Sequence, residues 1–421
     1  MDHKIQKKDE IFVIGAGMVG VASAWHLLQK GYDVTLIDRK APGEETSYGN
    51  AGLIQREAVF PVPFPRSLSE ILRILPNKSL DIRYKPTALI HYAGPLWHYF
   101  RASAKAPFAK IVKEWASLIE HSTSEHQVMM TSSDAEYLVR KNGWLQLHRH
   151  KASLQAYIDN LATFNQYGAA YKVLNQADIA ELEPDLDTSG FIGGIHWLNA
   201  WQVISPGDLV KSYANDFVAK GGKLIETDVT KLEQAIDSNL WHIETDQGRF
   251  STRKLLITTG PWANHLLKPL GYHFPLFPMR GYHQHYAIED GKMLNFAIVD
   301  EDNGFVLSPQ KLGIRLTTGA DFTFLDAPID KAQLNLDDKV ARDLLPLTNI
   351  VEKTPWFGHR PCLPDMKPVI DKAFKHDNLW LAFGHAHQGF TLGPATGRLI
   401  SEMIHGDQPY IDPSPFRSDR F

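Results

Sequence analysis

Cysteine is nearly absent: the chain of 421 residues carries one, Cys362. No intrachain disulfide can form and no cysteine-rich metal site can be built, so a reducing compartment suits the chain best. There is no H-E-x-x-H motif. His283 and His285 stand two apart, as do His385 and His387, but no set of partners completes a metal site around either pair, and no metal is expected. No block of like charge occurs. With 44 basic and 48 acidic residues the net charge is −4, which argues against a nucleic-acid partner. No internal repeat and no low-complexity tract is visible. Long apolar runs are missing too. Lys7-Lys8 followed by the uncharged run Ile11 to Leu28 has the outline of a signal peptide, but Asp9 and Glu10 interrupt the basic start and glycines punctuate the run. Thr87 to Phe100 is uncharged and aromatic, yet too short to span a bilayer and broken by Gly94-Pro95. The expectation is a cytoplasmic chain without signal peptide or transmembrane helix.

What is present begins at Ile11. Ile11 to Ile14 reads as a buried parallel strand. Gly15, Gly17 and Gly20 follow as G-x-G-x-x-G, then a helix to Leu28, a stop at Gly31, and a second apolar strand ending at Asp38. Gly15 permits the tight turn, Gly17 lets the backbone approach a pyrophosphate, and Gly20 lets the helix pack on the strand. Met18 and Val19 open the helix, whose N–H groups and dipole suit an anion. Asp38 stands where a carboxylate bonds the ribose hydroxyls of an adenosine. Alone the glycine pattern is weak; between two strands, with the acid at the end, it is strong.

The chain is long enough for two domains. The loop from Arg39 to Ile54 is rich in small residues, with Thr46 and Ser47 offering hydroxyls. Leu68, Ile71, Leu72 and Leu75 mark a short amphipathic helix. Thr87 to Phe100 either packs as a cap or lies on a membrane surface with its flanking basic residues; the cap is preferred. A longer helix is expected from Phe108 to about Met130, and another from Ala152 to Tyr167. A second strand-to-glycine turn occurs at Thr258-Thr259-Gly260-Pro261-Trp262. Trp356 to Asp365 reads as a proline-rich turn carrying Arg360. The last motif is the strand Leu379 to Phe383, the loop Gly384-His385 to Leu392 and a helix from Pro394 to His405. A second helix N-terminus suits the edge of a flavin ring that gains charge on reduction.

Taken together, Val13 to Ser23, Glu45-Thr46-Ser47 through Asn50-Ala51-Gly52, Gly358-His359-Arg360-Pro361 with Pro364-Asp365, and Gly384-His385 through Gly389 to Gly397 resemble the D-amino-acid dehydrogenase and glycine oxidase branch of the D-amino-acid oxidase family of FAD enzymes. The resemblance spans nearly the whole chain. It implies non-covalent FAD, because Cys362 is not at the position where some relatives attach flavin. It implies that Gly15, Gly17 and Gly20 line the pyrophosphate, with Asp38 and Arg39 at the adenosine. Thr46, Ser47, Asn50, Ala51, Gly52 and Leu53 would run along the cofactor, and Val229 would meet the adenine. Thr259, Gly260 and Trp262 would lie beside it, and Gly384, Gly389, Phe390 and Thr391 would serve the flavin ring. Arg360 would hold the substrate carboxylate, with Tyr282, Asn303 and Phe305 facing the substrate. A planar guanidinium suits that task, since two parallel bonds fix position and orientation; the bland alternative is a salt bridge to Asp365. His359, His387 and Gln388 depart from the usual pattern.

The implied reaction is oxidative deamination of a D-amino acid to a 2-oxo acid and ammonia, with hydride transfer from the α-carbon to flavin N5 and no base assigned. Alternatives are an oxidase or dehydrogenase of glycine or secondary amino acids such as sarcosine, D-proline or hydroxy-D-proline, and, in another class, a non-catalytic FAD-binding subunit. A quinone or respiratory chain is the expected acceptor ahead of oxygen, with peripheral contact to the inner membrane as an option. The expected fold is mixed α/β and α+β. A discontinuous Rossmann-like FAD domain (1–58, 203–270 and 355–421) has a parallel sheet. A substrate domain (59–202 and 271–354) has a mostly antiparallel sheet and a helical insert from Pro61 to Met130.

Overall fold

A computed structural model describes residues 9–235 and 237–421; Lys7-Lys8, the basic start considered above, lies outside them. The strand Glu10–Ile14 sits in the middle of a six-stranded sheet. On one side it pairs in parallel with Asp33–Asp38, which pairs with Lys223–Glu226. On the other it pairs in parallel with Lys254–Ile257, which pairs with Leu379–Phe383. Val369–Lys372 closes the edge antiparallel. Ile11, Val13, Val34, Leu36 and Leu256 are sealed in one core, while Phe12, Ile14, Ile37, Leu255 and Ile257 belong to a second. Strands buried on both faces are apolar throughout, as a parallel sheet requires.

The helix Met18–Gln29 covers one face and lies against the C-terminal helix Gly389–His405. That helix starts at Gly389, five residues before the expected Pro394. Pro394, expected at the helix start, is interior to it. A proline at this position cannot donate to the carbonyl four residues back, which is that of Phe390. The buried His126 Nε2 occupies that carbonyl instead, at 3.0 Å. His126 Nδ1 faces the Tyr213 hydroxyl at 3.1 Å.

The second sheet is mixed and mostly antiparallel. Its long strand Phe277–Ile288 pairs with Gly313–Thr317, Ala320–Phe322, Leu347–Ile350 and Trp356–Cys362. Trp356–Cys362 corrects the expected proline-rich turn. It is an edge strand, where a missing donor at Pro361 is tolerated. The sheet continues through Phe305–Gln310 and Ile298–Asp300 to Trp144–His148, Gly193–Trp197 and Tyr171–Asn175.

Two long helices are each divided. Lys105–Ile119 stops and Ser122–Ser132 begins anew. Lys151–Ile158 and Leu161–Gln166 replace one run. Within Thr87 to Phe100 only Ala88 and Tyr99 are buried, and Ile90 and Trp97 are 77% and 58% exposed. The helix Ala93–Ala102 buries Tyr99 against Phe277 and Met279. The amphipathic helix Leu68–Ile74 buries none of its residues, and Leu68 is 71% exposed. No described helix is long and apolar enough to cross a membrane.

Candidate active site

The carboxyl ends of four parallel strands, at Ile14, Asp38, Thr258 and Phe383, open onto one cavity of about 1650 Å³. That edge is where open α/β sheets bind ligands. The volume exceeds the roughly 300–1,000 Å³ of an ordinary small-ligand pocket, leaving room for an extended cofactor and a substrate.

At the first turn Gly15 has φ +109°, a left-handed backbone that favours glycine. A Cβ on Gly20 would stand 1.7 Å from the Gly15 carbonyl oxygen, so the helix can lie this close only without one. The N-cap Gly17 supplies no side-chain cap, leaving the helix N-terminus aimed at the cavity with little internal satisfaction. Ser47 Oγ accepts from the Met18 N–H at 2.9 Å, tying the second loop to the first. Asp38 Oδ2 accepts from the Ala16 N–H at 2.6 Å, and Oδ1 from the Lys40 N–H at 3.1 Å. Burial raises the Asp38 pKa despite these bonds. Arg39 lies over the Trp262 ring at 4.3 Å and pairs with Glu45 at 3.0 Å.

Most of the residues singled out from sequence meet in this cavity. Its wall contains Gly15, Gly17, Met18, Val19, Asp38 and Arg39; then Thr46, Ser47, Asn50, Ala51 and Leu53; then Val229, Thr259, Gly260, Trp262, Arg360, Gly389 and Phe390. Gly20, Gly52, Gly384 and Thr391 stand behind the wall rather than in it. Thr391 Oγ1 accepts from the Gln55 N–H at 3.3 Å. Gly52 approaches Val203 and Gln310 so closely that a Cβ would collide with both.

Tyr282, Asn303 and Phe305 do not reach the cavity. Along Phe277–Ile288 the side chains alternate, and Met279 and Gly281 face the cavity. Tyr282 therefore points to the other side, where its hydroxyl accepts from the Asp330 N–H at 3.1 Å. Phe305 is packed in the core beneath the second sheet, and Asn303 Nδ2 donates to Asp300 at 2.9 Å. Gly304 and Val306 are the neighbours that line the wall.

Arg360 sits opposite Met279 on the edge strand. Its Nη1 donates to the Gly319 carbonyl at 2.7 Å and its Nη2 to the Thr318 carbonyl at 3.1 Å. The alternative bridge to Asp365 is absent: Asp365 is held by Arg420 at 2.7 Å and by Lys367 at 3.7 Å. Among the described residues no carboxylate pairs with Arg360. Burial lowers its pKa, and two carbonyls fix its plane. A half-buried cation without an anion is held at some cost, and an incoming carboxylate supplies what the protein lacks. Gly281 makes the space, since a Cβ there would lie 2.8 Å from Nη2. His387 shares the wall, and burial followed by the Arg360 charge lowers its pKa to about 4.

Sequence reasoning missed part of the wall. Glu57, Trp144, Gln146, Tyr157, Trp197 and Glu301 also line it. The alternation Trp144-Leu145-Gln146-Leu147 put Trp144 and Gln146 on one face, but nothing local said that this face meets the glycine motif.

The wall fits a long, polar, anionic cofactor. Thr259 Oγ1 and Gln388 Oε1 are buried there without hydrogen-bond partners, and buried polar groups call for one. Among the described residues no cluster could hold a metal ion.

Comparison with known proteins agrees with this geometry. The chain is 31% identical to a D-amino-acid oxidase of Bradyrhizobium diazoefficiens, covering 98% of each. It is 25% identical to a D-amino acid dehydrogenase of Neisseria gonorrhoeae, covering 96% of this chain and 97% of that one. In fold it matches the glycine oxidase of Geobacillus kaustophilus with a TM-score of 0.72 at 20% identity, over 98% of this chain and 100% of that one. Residues 10–403 match the family described as FAD dependent oxidoreductase (DAO), and the chain belongs to that family.

Proposed function

We propose that this chain carries out FAD-dependent oxidative deamination of D-amino acids, giving a 2-oxo acid and ammonia. The observation that carries the reading is Arg360, a half-buried guanidinium that opens onto the cofactor cavity without an anion. Two of its five N–H donors are used by Thr318 and Gly319, and the others remain for a carboxylate. With the carboxylate clamped, rotation about the α-carbon is the only freedom left, and one C–H bond is presented to the cofactor. Bound FAD supplies the acceptor for the hydride equivalent that leaves the α-carbon. His387 stays neutral near pH 7, so it adds no second positive charge beside the clamp. The helix Ala93–Ala102 contributes Ala93, Leu96 and Tyr99 to the cavity wall. No base is assigned, because an amine that enters neutral needs none. The D configuration is supported by the D-amino-acid oxidase and dehydrogenase relatives, and a quinone or respiratory acceptor by the dehydrogenases.

For the cofactor we assign Gly15, Gly17, Met18 and Val19 to the pyrophosphate, and Asp38, Arg39, Val229 and Trp262 to the adenosine. Thr46, Ser47, Ala51 and Leu53 run along its length, and Gly389 and Phe390 serve the ring. FAD is held non-covalently: Cys362 does not line the cavity but packs with Tyr99 and Phe277, and burial pushes its thiol up to about 12. We assign the FAD domain to 1–58, 203–270 and 355–421, the three segments that supply every strand of the six-stranded sheet. Turnover of D- and L-amino acids by the FAD-loaded protein, with a dye acceptor in one series and peroxide detection in the other, tests the reading. D-selective dye reduction with little peroxide is expected; turnover confined to L-isomers or secondary amines would overturn it.

A further inference from the structure

We infer that the cavity holds a second recognition subsite, walled by Glu57, Glu301 and a group of aromatic rings, that takes a cationic nitrogen group, an ammonium or guanidinium, at the end of the substrate side chain. The subsite presupposes the carboxylate clamp at Arg360 proposed above.

Glu57 is 3% exposed and forms part of the cavity wall. Its Oε1 accepts from Trp144 Nε1 and from Gln55 Nε2, both at 3.0 Å. Its Oε2 has no hydrogen-bond partner. Arg56, the preceding residue, acts on it through its charge but makes no hydrogen bond or ion pair with it, because the Arg56 guanidinium is turned toward Gly168, where an added Cβ would lie 2.6 Å from Nη2. Glu301 lines the same cavity. Its Oε2 accepts from Gln146 Nε2 at 2.9 Å and its Oε1 from the Tyr157 hydroxyl at 2.8 Å. Trp197 Nε1 donates to Gln146 Oε1 at 2.8 Å, which fixes that amide with its N–H toward Glu301. Neither glutamate forms an ion pair among the described residues. A buried carboxyl and a half-buried one, both without an ion-pair partner, are expensive to keep charged unless something supplies a cation. Burial raises the pKa of each, Glu57 to about 7.

The strand register explains why these groups meet. Trp144 is opposite Trp197 and Gln146 is opposite Val299, all turned to the cavity, while Leu145, Leu147 and Ile298 fill the core behind. The aromatic part is continuous: Phe164 stands 4.8 Å from Phe60 and 4.7 Å from Trp197, and Tyr157 stacks on Phe164 at 6.3 Å. Ring faces beside carboxylates attract cations over neutral groups of the same size. The ends of the substrate are thus read by opposite charges, the carboxylate by Arg360 and the side-chain cation by the two glutamates.

The test uses the FAD-loaded protein and two probes that cannot react at an α-amine, 6-aminohexanoate and hexanoate. Binding is followed calorimetrically and by perturbation of the visible flavin spectrum. 6-Aminohexanoate should bind at least tenfold more tightly than hexanoate, and Glu57→Gln should erase most of the difference while leaving hexanoate within threefold. Glu301→Gln should act in the same direction, and serves if the Glu57 variant fails to fold. Equal affinity of the wild-type protein for the two probes would overturn the subsite, even if D-amino acids such as D-alanine reduce the flavin. Glu57-dependent selection of 6-aminohexanoate would sustain it, even if no D-amino acid reduces the flavin and the reaction assigned above fails.

Discussion

Arg360 and Gly281 act as one unit at the residue scale. Replacing Arg360 by Ala removes both the charge and the fork. Charge-assisted bonds contribute about 1.5–3 kcal/mol each, so kcat/KM for every amino acid should fall by a factor on the order of 10² or more, with FAD content unchanged. Steady-state kinetics across neutral substrates check this. Gly281→Ala puts a methyl at 2.8 Å from Nη2. It should weaken substrate binding through KM without touching the cofactor spectrum. A third residue reports on stability. Asp337 is sealed from solvent with both oxygens unpartnered, and burial, then Asp300 and Asp81, push its carboxyl to about 8. The unfolded value is about 3.9, so the folded chain binds this proton more tightly. Its contribution to stability is present below about pH 4 and declines as pH climbs toward about 8, by up to about 1.4 kcal/mol per pH unit. Asp337→Asn should therefore gain melting temperature over the wild-type chain at pH 8 and lose that advantage near pH 5.

The glycine-bounded helices are the units that matter at the element scale. The first of them was legible in the sequence because its chemistry is local: a strand, three glycines at fixed spacing and an acid at the end of the next strand. The C-terminal helix was legible only in part. Pro394 looked like a first turn, and nothing within ten residues of it indicated that His126, far back in the chain, would take the freed Phe390 carbonyl. His126→Ala leaves that carbonyl buried and unmet, at a cost of about 1–3 kcal/mol. Chemical denaturation should register the loss, and a lower FAD affinity should accompany it, since Gly389 and Phe390 line the cavity. Trp356–Cys362 shows the same limit. Pro361 in it and Pro364 just beyond imitate a turn, and only pairing with Phe277–Ile288 makes it a strand. The register of Phe277–Ile288 sets which way Tyr282 points, and the pairing of Phe305–Gln310 with Ile298–Asp300 and Gly313–Thr317 does the same for Phe305. The residues were found near the right stretch of chain, but the side on which each falls depends on register, which the sequence does not state.

For the whole molecule, the parallel sheet and the mixed sheet face each other across one cavity, with the cofactor motif on one side and Arg360, Glu57 and Glu301 on the other. The first half of that arrangement follows from motifs and the second from long-range strand pairing, which is why the acidic wall went unseen. A ligand that bridges both halves should hold them together. FAD at a hundredfold excess over its Kd adds about 2.7 kcal/mol to folding, so removing it should lower the melting temperature and re-adding it restore the value. An anaerobic titration of the FAD-loaded protein, followed in the visible flavin spectrum, tests most directly whether Arg360 clamps a D-amino acid beside the cofactor. D-amino acids should bleach the wild-type spectrum at low concentration and leave that of Arg360→Ala oxidised. Bleaching of both proteins at the same concentration, or of neither by any D-isomer, would contradict it.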